Sequence, residues 1–208
     1  TQPLRITKQT KAVLPWVGTD ETRFALQMVR FDPDGRTIAC NGAGLCILQQ
    51  RGEYTVEDYP TTHFTPQTEP LTASVLLPAE SVAQVIKAIP KVVKRGALFI
   101  IQNAVQVPNS NGHITMGVTD GSTAQTFEIQ PSNETYPVPQ IEAVIPTQTP
   151  SIAVTMGVAY LGNVVESLKA IGAKTVTLSL TEPTKAMVWE GKSVEAELKI
   201  VLMPCRPE

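Results

Sequence analysis

The sequence has few histidines and cysteines, which catalytic and metal sites often use, and it has no long apolar run. Only two histidines and three cysteines occur in 208 residues, and no apolar run approaches the roughly 18 residues that a membrane span requires. The cysteines show no metal-ligand spacing, and their odd number indicates reduced thiols and a cytoplasmic location. We therefore expect no cofactor, no metal, no membrane and no catalytic activity.

Neither charge sign dominates the chain. Seventeen Lys and Arg against nineteen Asp and Glu give a net charge of −2, which excludes a polybasic nucleic-acid binder but allows a local basic face, because local potential steers polyanions. The hydrophobic fraction of 42% excludes intrinsic disorder. The start, Thr1–Arg5, has neither an initiating Met nor a signal-peptide core, so we expect a trimmed or partial sequence.

A weak internal repeat of about 70 residues organises the chain. Apolar residues spaced i, i+3, i+4, i+7 predict a helix that begins at Pro78 and stops at Pro90, and the same spacing recurs over 161–168. The preceding stretches Ser74–Leu77 and Ile152–Thr155 are predicted strands, and a shorter first unit begins with Leu4–Ile6. Strand–helix–strand–strand–strand units of this kind predict an α+β fold with helices on one face of antiparallel sheets.

The ending of the chain carries the most specific resemblance. Val201–Arg206 reads Val-Leu-Met-Pro-Cys-Arg and resembles the C-terminal Met-Pro-Met-Arg motif of the bacterial sliding clamp, the beta subunit of the replicative DNA polymerase III. The stretch 160–170 resembles that family's last helix. Ile38–Leu45 resembles its Ala-Thr-Asp-Gly-His-Arg-Leu segment but lacks the acid, the His and the Arg, and Val144–Pro146 resembles the Val-Ile-Pro that closes its middle domain.

The resemblance implies a DNA-clamp-like fold and a division of the chain. Residues 1–146 would form one clamp-like domain of two repeat units (about 1–68 and 69–146), and 147–208 a third unit resembling the second half of the last clamp domain. A full clamp subunit holds six units, so we expect a homo-oligomer in which 147–208 pairs with another chain. A two-fold dimer is the expected building block, and a four-chain ring would supply all twelve units of a complete clamp.

The resemblance also implies two sites. A pocket for short peptides of polymerases or other clients would be lined by Gly42, Leu45, Pro146, Met203, Pro204 and Arg206. Double-stranded DNA would be contacted through its backbone by Lys87, Lys91, Lys94, Arg95 and Lys174, because no acid occurs between 81 and 95. The simpler interpretations are that Met203 and Pro204 end an edge strand and that the basic residues complement a helix dipole.

Two functions follow from these features. The first is a non-catalytic DNA processivity factor that encircles or contacts duplex DNA. The second is a clamp-fold protein-interaction or assembly module that no longer binds DNA.

Overall fold

The computed structural model describes residues 3–20, 22–49, 64–67, 69–90, 103–108, 112–132, 145–194 and 196–205. The chain divides into two compact units, Thr1–Pro139 (unit 1) and Gln140–Glu208 (unit 2). The predicted strand over 97–101 and the turn before it lie outside the described residues. The boundary that we expect after residue 146 stays a prediction.

Unit 1 contains eight described strands and three described helices. Two of the helices are 3₁₀ helices, Lys8–Trp16 (the N-terminal 3₁₀ helix) and Phe24–Gln27, and the third is α1, Ala79–Ala88. The strands are β1 Arg5–Thr7, β2 Met28–Phe31, β3 Arg36–Cys40, β4 Leu45–Gln49, β5 Val75–Pro78, β6 Asn103–Val107, β7 Ile114–Thr119 and β8 Ala124–Ile129.

The two sheets of unit 1 exchange their outer strands. The strand orders are β4-β3-β2-β5 and β1-β6-β7-β8, with every neighbouring pair antiparallel. Each meander of three strands therefore receives, on its first strand, the strand that opens the other repeat. Neither repeat completes its sheet alone, so the two fold as one body.

A single hydrophobic core joins the two repeats. Helix α1 packs against the N-terminal 3₁₀ helix and against strands of both sheets. The residues that form its buried stripe are the ones that the apolar spacing predicts: Val82, Val85 and Ile86, followed by Ile89. Glu80 in the first turn and Lys87 in the last suit the helix dipole, and Pro90 prevents continuation.

A buried ionic cluster fixes one of the exchanged strands. The Asp32 carboxylate, nearly inaccessible to solvent, accepts hydrogen bonds from Arg30 Nε and from Ser74 Oγ at 2.7 Å, and lies 3.2 Å from Arg36 Nη2. Ser74 directly precedes β5. The cluster therefore ties the β2–β3 turn of the first repeat to the opening strand of the second, and several partners offset the cost of burying the carboxylate.

The described part of unit 2 contains one helix and one meander. Helix α2 spans Val158–Ala170 and is followed by β9 Val176–Ser179, β10 Met187–Lys192 and β11 Glu197–Leu202, in the antiparallel order β11-β10-β9. Glycine shortly after an apolar stripe predicts a helix end, and Gly172 ends this helix with φ +73° and its N–H donating to Lys169 O. Its sheet has three strands where each sheet of unit 1 has four.

The same hairpin closes all three meanders, as expected of repeated units. Four residues separate β3 from β4, β7 from β8 and β10 from β11. In each loop the first residue donates its N–H to the carbonyl of the fourth: Asn41 to Gly44, Asp120 to Thr123 and Ser193 to Ala196.

The first side chain of each hairpin loop also accepts a backbone hydrogen bond from within the loop. Asp120 does so most fully, accepting from Ser122 N at 2.8 Å and from Thr123 N at 2.7 Å. These two backbone donors, with the Ser122 hydroxyl, hold the pKa of Asp120 well below its ordinary value. The turn therefore requires a short polar side chain at the first loop position.

Two predicted strands differ from the structure. Ile152–Thr155 is not a strand, because the pairing partner that β1 and β5 find in the other repeat has no counterpart among the described residues of unit 2. The apolar run of Arg23–Phe31 also predicts a strand, but the strand begins only at Met28 because Phe24–Gln27 form a 3₁₀ helix. No helix in the described part is long and apolar enough to cross a membrane.

Candidate interaction sites

The predicted client pocket falls on both units. Gly42 and Leu45 belong to unit 1, at the β3–β4 hairpin, whereas Pro146, Met203 and Pro204 belong to unit 2. Arg206 lies outside the described residues.

Gly42 sits where only glycine fits easily. Its φ is +86°, a left-handed conformation that residues with a side chain rarely adopt. A Cβ at this position would lie 3.4 Å from Arg23 Nη1 and 3.6 Å from Leu26 Cδ1. The hairpin tip therefore lies directly against the segment that precedes β2.

An exposed aromatic ring over this hairpin was missed by sequence reasoning. The Trp16 indole lies so close over Gly44 that a Cβ there would overlap the ring, and Trp16 is exposed. The sequence predicts a short helix over Lys8–Leu14 that Pro15 ends, and this prediction assigns no role to Trp16. The exposed ring makes the surface at the hairpin more apolar, which is the property that short apolar peptides need.

The unit 2 half of the pocket is also exposed. Met203 follows β11 directly and is 68% exposed, and Pro146 and its neighbour Ile145 are exposed as well. Pro204 is half-buried. A flexible, polarisable methionine held at a strand end is suited to contact varied apolar side chains.

The predicted DNA-contacting residues are partly described. Lys87 is exposed in the last turn of α1, and Lys174 is exposed in the turn between α2 and β9. Lys91, Lys94 and Arg95 lie outside the described residues. The structure thus gives two separate cations, one on each unit.

The N-terminal 3₁₀ helix adds two lysines that the sequence reading did not select. Lys8 is half-buried and Lys11 is exposed, and the helix packs against α1, which carries Lys87. The signal was available, because no acidic residue precedes Asp20. Lys11 and Lys87 therefore lie on two adjacent helices of unit 1.

Unit 2 does not reproduce this charge pattern. The ninth residue of α1 is Lys87, whereas the ninth residue of α2 is Glu166, and α2 carries its own cation, Lys169, in its last turn. Glu166 would repel a phosphate backbone at the position where Lys87 of α1 would attract it.

The described residues contain no group of three or more His, Cys, Asp or Glu that could hold a metal ion. Of the two histidines, His113 lies in the turn before β7, as predicted, and His63 lies outside the described residues. Desolvation raises the pKa of the Cys46 thiol above its ordinary value, which lowers its reactivity as a nucleophile.

Comparison with known proteins identifies the fold of the chain but finds no related sequence. No protein-family model matches the chain, and no curated protein matches it. A DNA polymerase sliding clamp from Pseudomonas aeruginosa superposes on it with a TM-score of 0.63 at 12% identity, covering 98% of this chain and 51% of the clamp. A putative DNA polymerase III beta subunit from Eubacterium rectale gives 0.59 at 10% identity, covering 98% and 50%.

A DNA polymerase III beta subunit from Borrelia burgdorferi behaves in the same way, with a TM-score of 0.61, 11% identity, and coverage of 98% of this chain and 48% of that one. The chain thus spans about half the length of the structures that it matches. Together with the exchanged strands and the three equivalent hairpins, these superpositions show that the chain has the fold of the bacterial DNA sliding clamp.

Proposed function

We propose that the chain is a sliding-clamp-like processivity factor, without catalysis of its own, that holds duplex DNA and tethers polymerase or other clients through short peptides. The observation that carries the proposal is the sliding-clamp fold over 98% of the chain. The exposed lysines on the adjacent helices of unit 1 and the exposed apolar surfaces at Gly42 and Met203 support it. We place this activity in the cytoplasm, where the free thiols Cys40, Cys46 and Cys205 would stay reduced.

The DNA-contacting part of the proposal rests on the helical layer of unit 1. Lys11 and Lys87 are exposed on neighbouring helices, and lysines there would contact phosphates without reading sequence. Lys91, Lys94 and Arg95 follow α1 in the chain and would extend the same basic surface, and Lys174 would contribute from unit 2.

We expect Lys11→Gln combined with Lys87→Gln to lower the dependence of DNA affinity on salt. Each lost phosphate contact reduces the slope of log K against log salt by about 0.9, so the double variant should lose about two units of slope. Fluorescence anisotropy with a labelled duplex, titrated at four salt concentrations, measures the slope.

The matched control removes the same charge from two exposed positions of unit 2, Lys185 in the β9–β10 loop and Lys199 on β11, as Lys185→Gln with Lys199→Gln. Its slope should equal that of the unchanged chain. Equal slopes for all three proteins would mean that the helical layer does not face DNA.

The client-binding part of the proposal rests on two exposed apolar surfaces, one on each unit. The exposed Trp16 ring lies over Gly44 in the β3–β4 hairpin of unit 1, between Gly42 and Leu45 in the sequence, and Met203 directly follows β11 in unit 2. Short peptides bind such surfaces through a few apolar anchors, with Pro146, Pro204 and Arg206 as the proposed remainder of the wall.

We expect Met203→Ala to weaken binding of a fluorescent peptide from the clamp-binding segment of a polymerase by about tenfold, as for an anchor residue. Met203 is exposed and follows β11, so its truncation should leave the melting temperature unchanged. Val194→Ala, in the exposed β10–β11 loop, is the control. Unchanged peptide affinity in Met203→Ala would remove Met203 from the site.

A second candidate function is a clamp-fold interaction or assembly module that does not hold DNA. Glu166 favours it, because it stands in α2 where α1 carries Lys87. The two candidates separate in the same experiments: an interaction module would bind the peptide but would show no salt-dependent affinity for duplex DNA.

A further inference from the structure

Unit 2 exposes residues whose counterparts in unit 1 form the core. Val29 and Phe31 of β2 are 0% and 3% exposed, because β5 and the second repeat cover them. The corresponding residues of β9, Val176 and Leu178, are 44% and 41% exposed. The sheet of unit 2 therefore presents, at its free strand, the apolar face that the other repeat covers in unit 1.

Helix α2 shows the same difference. Val82 and Ile86 of α1 are 0% and 8% exposed, whereas the residues at the same positions of α2, Leu161 and Val165, are 40% and 43% exposed. The other two positions of the stripe stay buried in α2, as Val164 and Leu168. The exposed half of the stripe and the free face of β9 are both what a second repeat would cover.

One hydrogen bond identifies the segment that opens the unit 2 repeat. In unit 1, Ser132 N, three residues after β8, donates to Leu76 O, three residues before α1, at 3.1 Å. In unit 2, Cys205 N, three residues after β11, donates to Thr155 O, three residues before α2, at 2.8 Å. Thr155 therefore corresponds to Leu76, and Val154–Gly157 to β5.

The register of the meanders identifies the acceptor position on β9. Val105 of β6 lies opposite Gly117, the fourth residue of β7. Thr177 of β9 lies opposite Glu190, the fourth residue of β10. Thr177 therefore corresponds to Val105.

We propose that two copies of the chain exchange their opening segments, so that Val154–Gly157 of each copy pairs antiparallel with the free edge of β9 of the other. Since Arg5, the third residue before its helix, pairs with Val105, Thr155 of one copy pairs with Thr177 of the second. The same register places Met156 opposite Val176 of the second copy and covers it.

A second copy is the occupant that fits, because unit 2 contains both the segment to be donated and the edge that accepts it. In unit 1 an opening strand never pairs with its own meander: β1 pairs with β6, and β5 with β2. A two-fold contact uses both features of both copies at once and closes the assembly. The proposal does not depend on DNA binding or on client binding.

The hydrogen-bonding pattern of the β1–β6 pair shows how the proposed register can be tested. Gln106 N donates to Leu4 O in the β1–β6 pair, so the neighbouring pair Arg5–Val105 is not hydrogen-bonded, since such pairs alternate along an antiparallel ladder. The Thr155–Thr177 pair would be of the same kind. Its Cα atoms would be about 4.5 Å apart, a separation that a disulfide bridges.

The experiment is disulfide trapping of the full chain with Cys40, Cys46 and Cys205 replaced by alanine. Thr155→Cys with Thr177→Cys, oxidised with diamide, should migrate on a non-reducing gel at twice the chain mass of 22.5 kDa and return to monomer with dithiothreitol. Thr155→Cys with Ser179→Cys lies on the same strand face but two residues out of register, and should trap at least about fivefold less.

Light scattering of the chain without added cysteines tests the apolar contact. The unchanged chain should show a dimer, and Leu178→Lys should raise its dissociation constant by at least about tenfold, while Val194→Lys, with the same added charge on an exposed loop residue, should not. Circular dichroism of both variants confirms folding.

Three outcomes would overturn the exchange: a single 22.5 kDa species at every concentration, equal trapping in and out of register, or a dimer that Leu178→Lys leaves intact. Each is independent of the DNA and peptide experiments. Loss of DNA binding alone would contradict the proposed function and leave the exchange standing.

Discussion

Leu77→Ala is expected to lower the free energy of unfolding of unit 1 by about 2–5 kcal/mol, the range for truncating a fully buried leucine. Leu77 is 0% exposed and lies in β5, which joins the sheet of one repeat to the helix of the other. Met156 occupies the equivalent position before α2 but is partly exposed. In the monomer, Met156→Ala should therefore cost less than about 1 kcal/mol.

The two tryptophans of the chain allow the two effects to be separated. Trp16 belongs to unit 1 and Trp189 to unit 2, so Trp189→Phe leaves fluorescence that reports on unit 1 alone, and Trp16→Phe leaves a reporter for unit 2. Urea titrations at low protein concentration compare Leu77→Ala in the first background with Met156→Ala in the second. Equal losses of unfolding free energy in the two variants would contradict the view that, in the monomer, an exchanged strand completes unit 1 but not unit 2.

Local features of this fold could be predicted from the sequence because local chemistry decides them. The positions of α1 and of the end of α2 are examples. Helix α1 is predicted by its apolar stripe, Val82, Val85, Ile86 and Ile89, and the end of α2 is predicted by Gly172. The segment Asp32–Gly35 reads Asp-Pro-Asp-Gly, which predicts a turn because Pro presets φ and Gly accepts positive φ; it forms the β2–β3 turn, where Gly35 has φ +84° and donates its N–H to Asp32 O.

The strand exchange could not be predicted in this way. Val75–Pro78 and Ile152–Thr155 look alike as apolar segments before a helix, but only the first has a free strand edge to pair with inside its unit. Strand identity there depends on a distant partner, and propensity carries no information about it. The same reason explains why Leu161 and Val165 keep the pattern of a core stripe while they remain exposed.

The candidate sites were predictable only as positions of resemblance. Gly42 has a local reason in its positive φ, but the exposed Trp16 ring over Gly44 comes from packing of the N-terminal 3₁₀ helix against β3 and β4. Lys11 joins Lys87 because two helices from different repeats pack together. Both features depend on tertiary contacts between residues far apart in the sequence.

Retention on circular DNA is expected to be nearly complete and to be lost on linearisation. A protein held only by phosphate contacts loses about 10³–10⁵ in affinity between 50 mM and 200 mM salt, whereas a closed ring around a circle stays linked whatever the salt concentration.

The measurement that tests the central claim most directly is gel filtration of the chain with nicked circular plasmid at high salt, before and after a single restriction cut. The loader is supplied as an extract that contains a clamp loader and ATP, and a parallel sample omits ATP. A clamp-like function predicts that the chain co-elutes with the circle and is released by the cut. Equal retention on circular and linear DNA, or no retention on either while the client peptide still binds, would contradict it and leave the interaction module as the function.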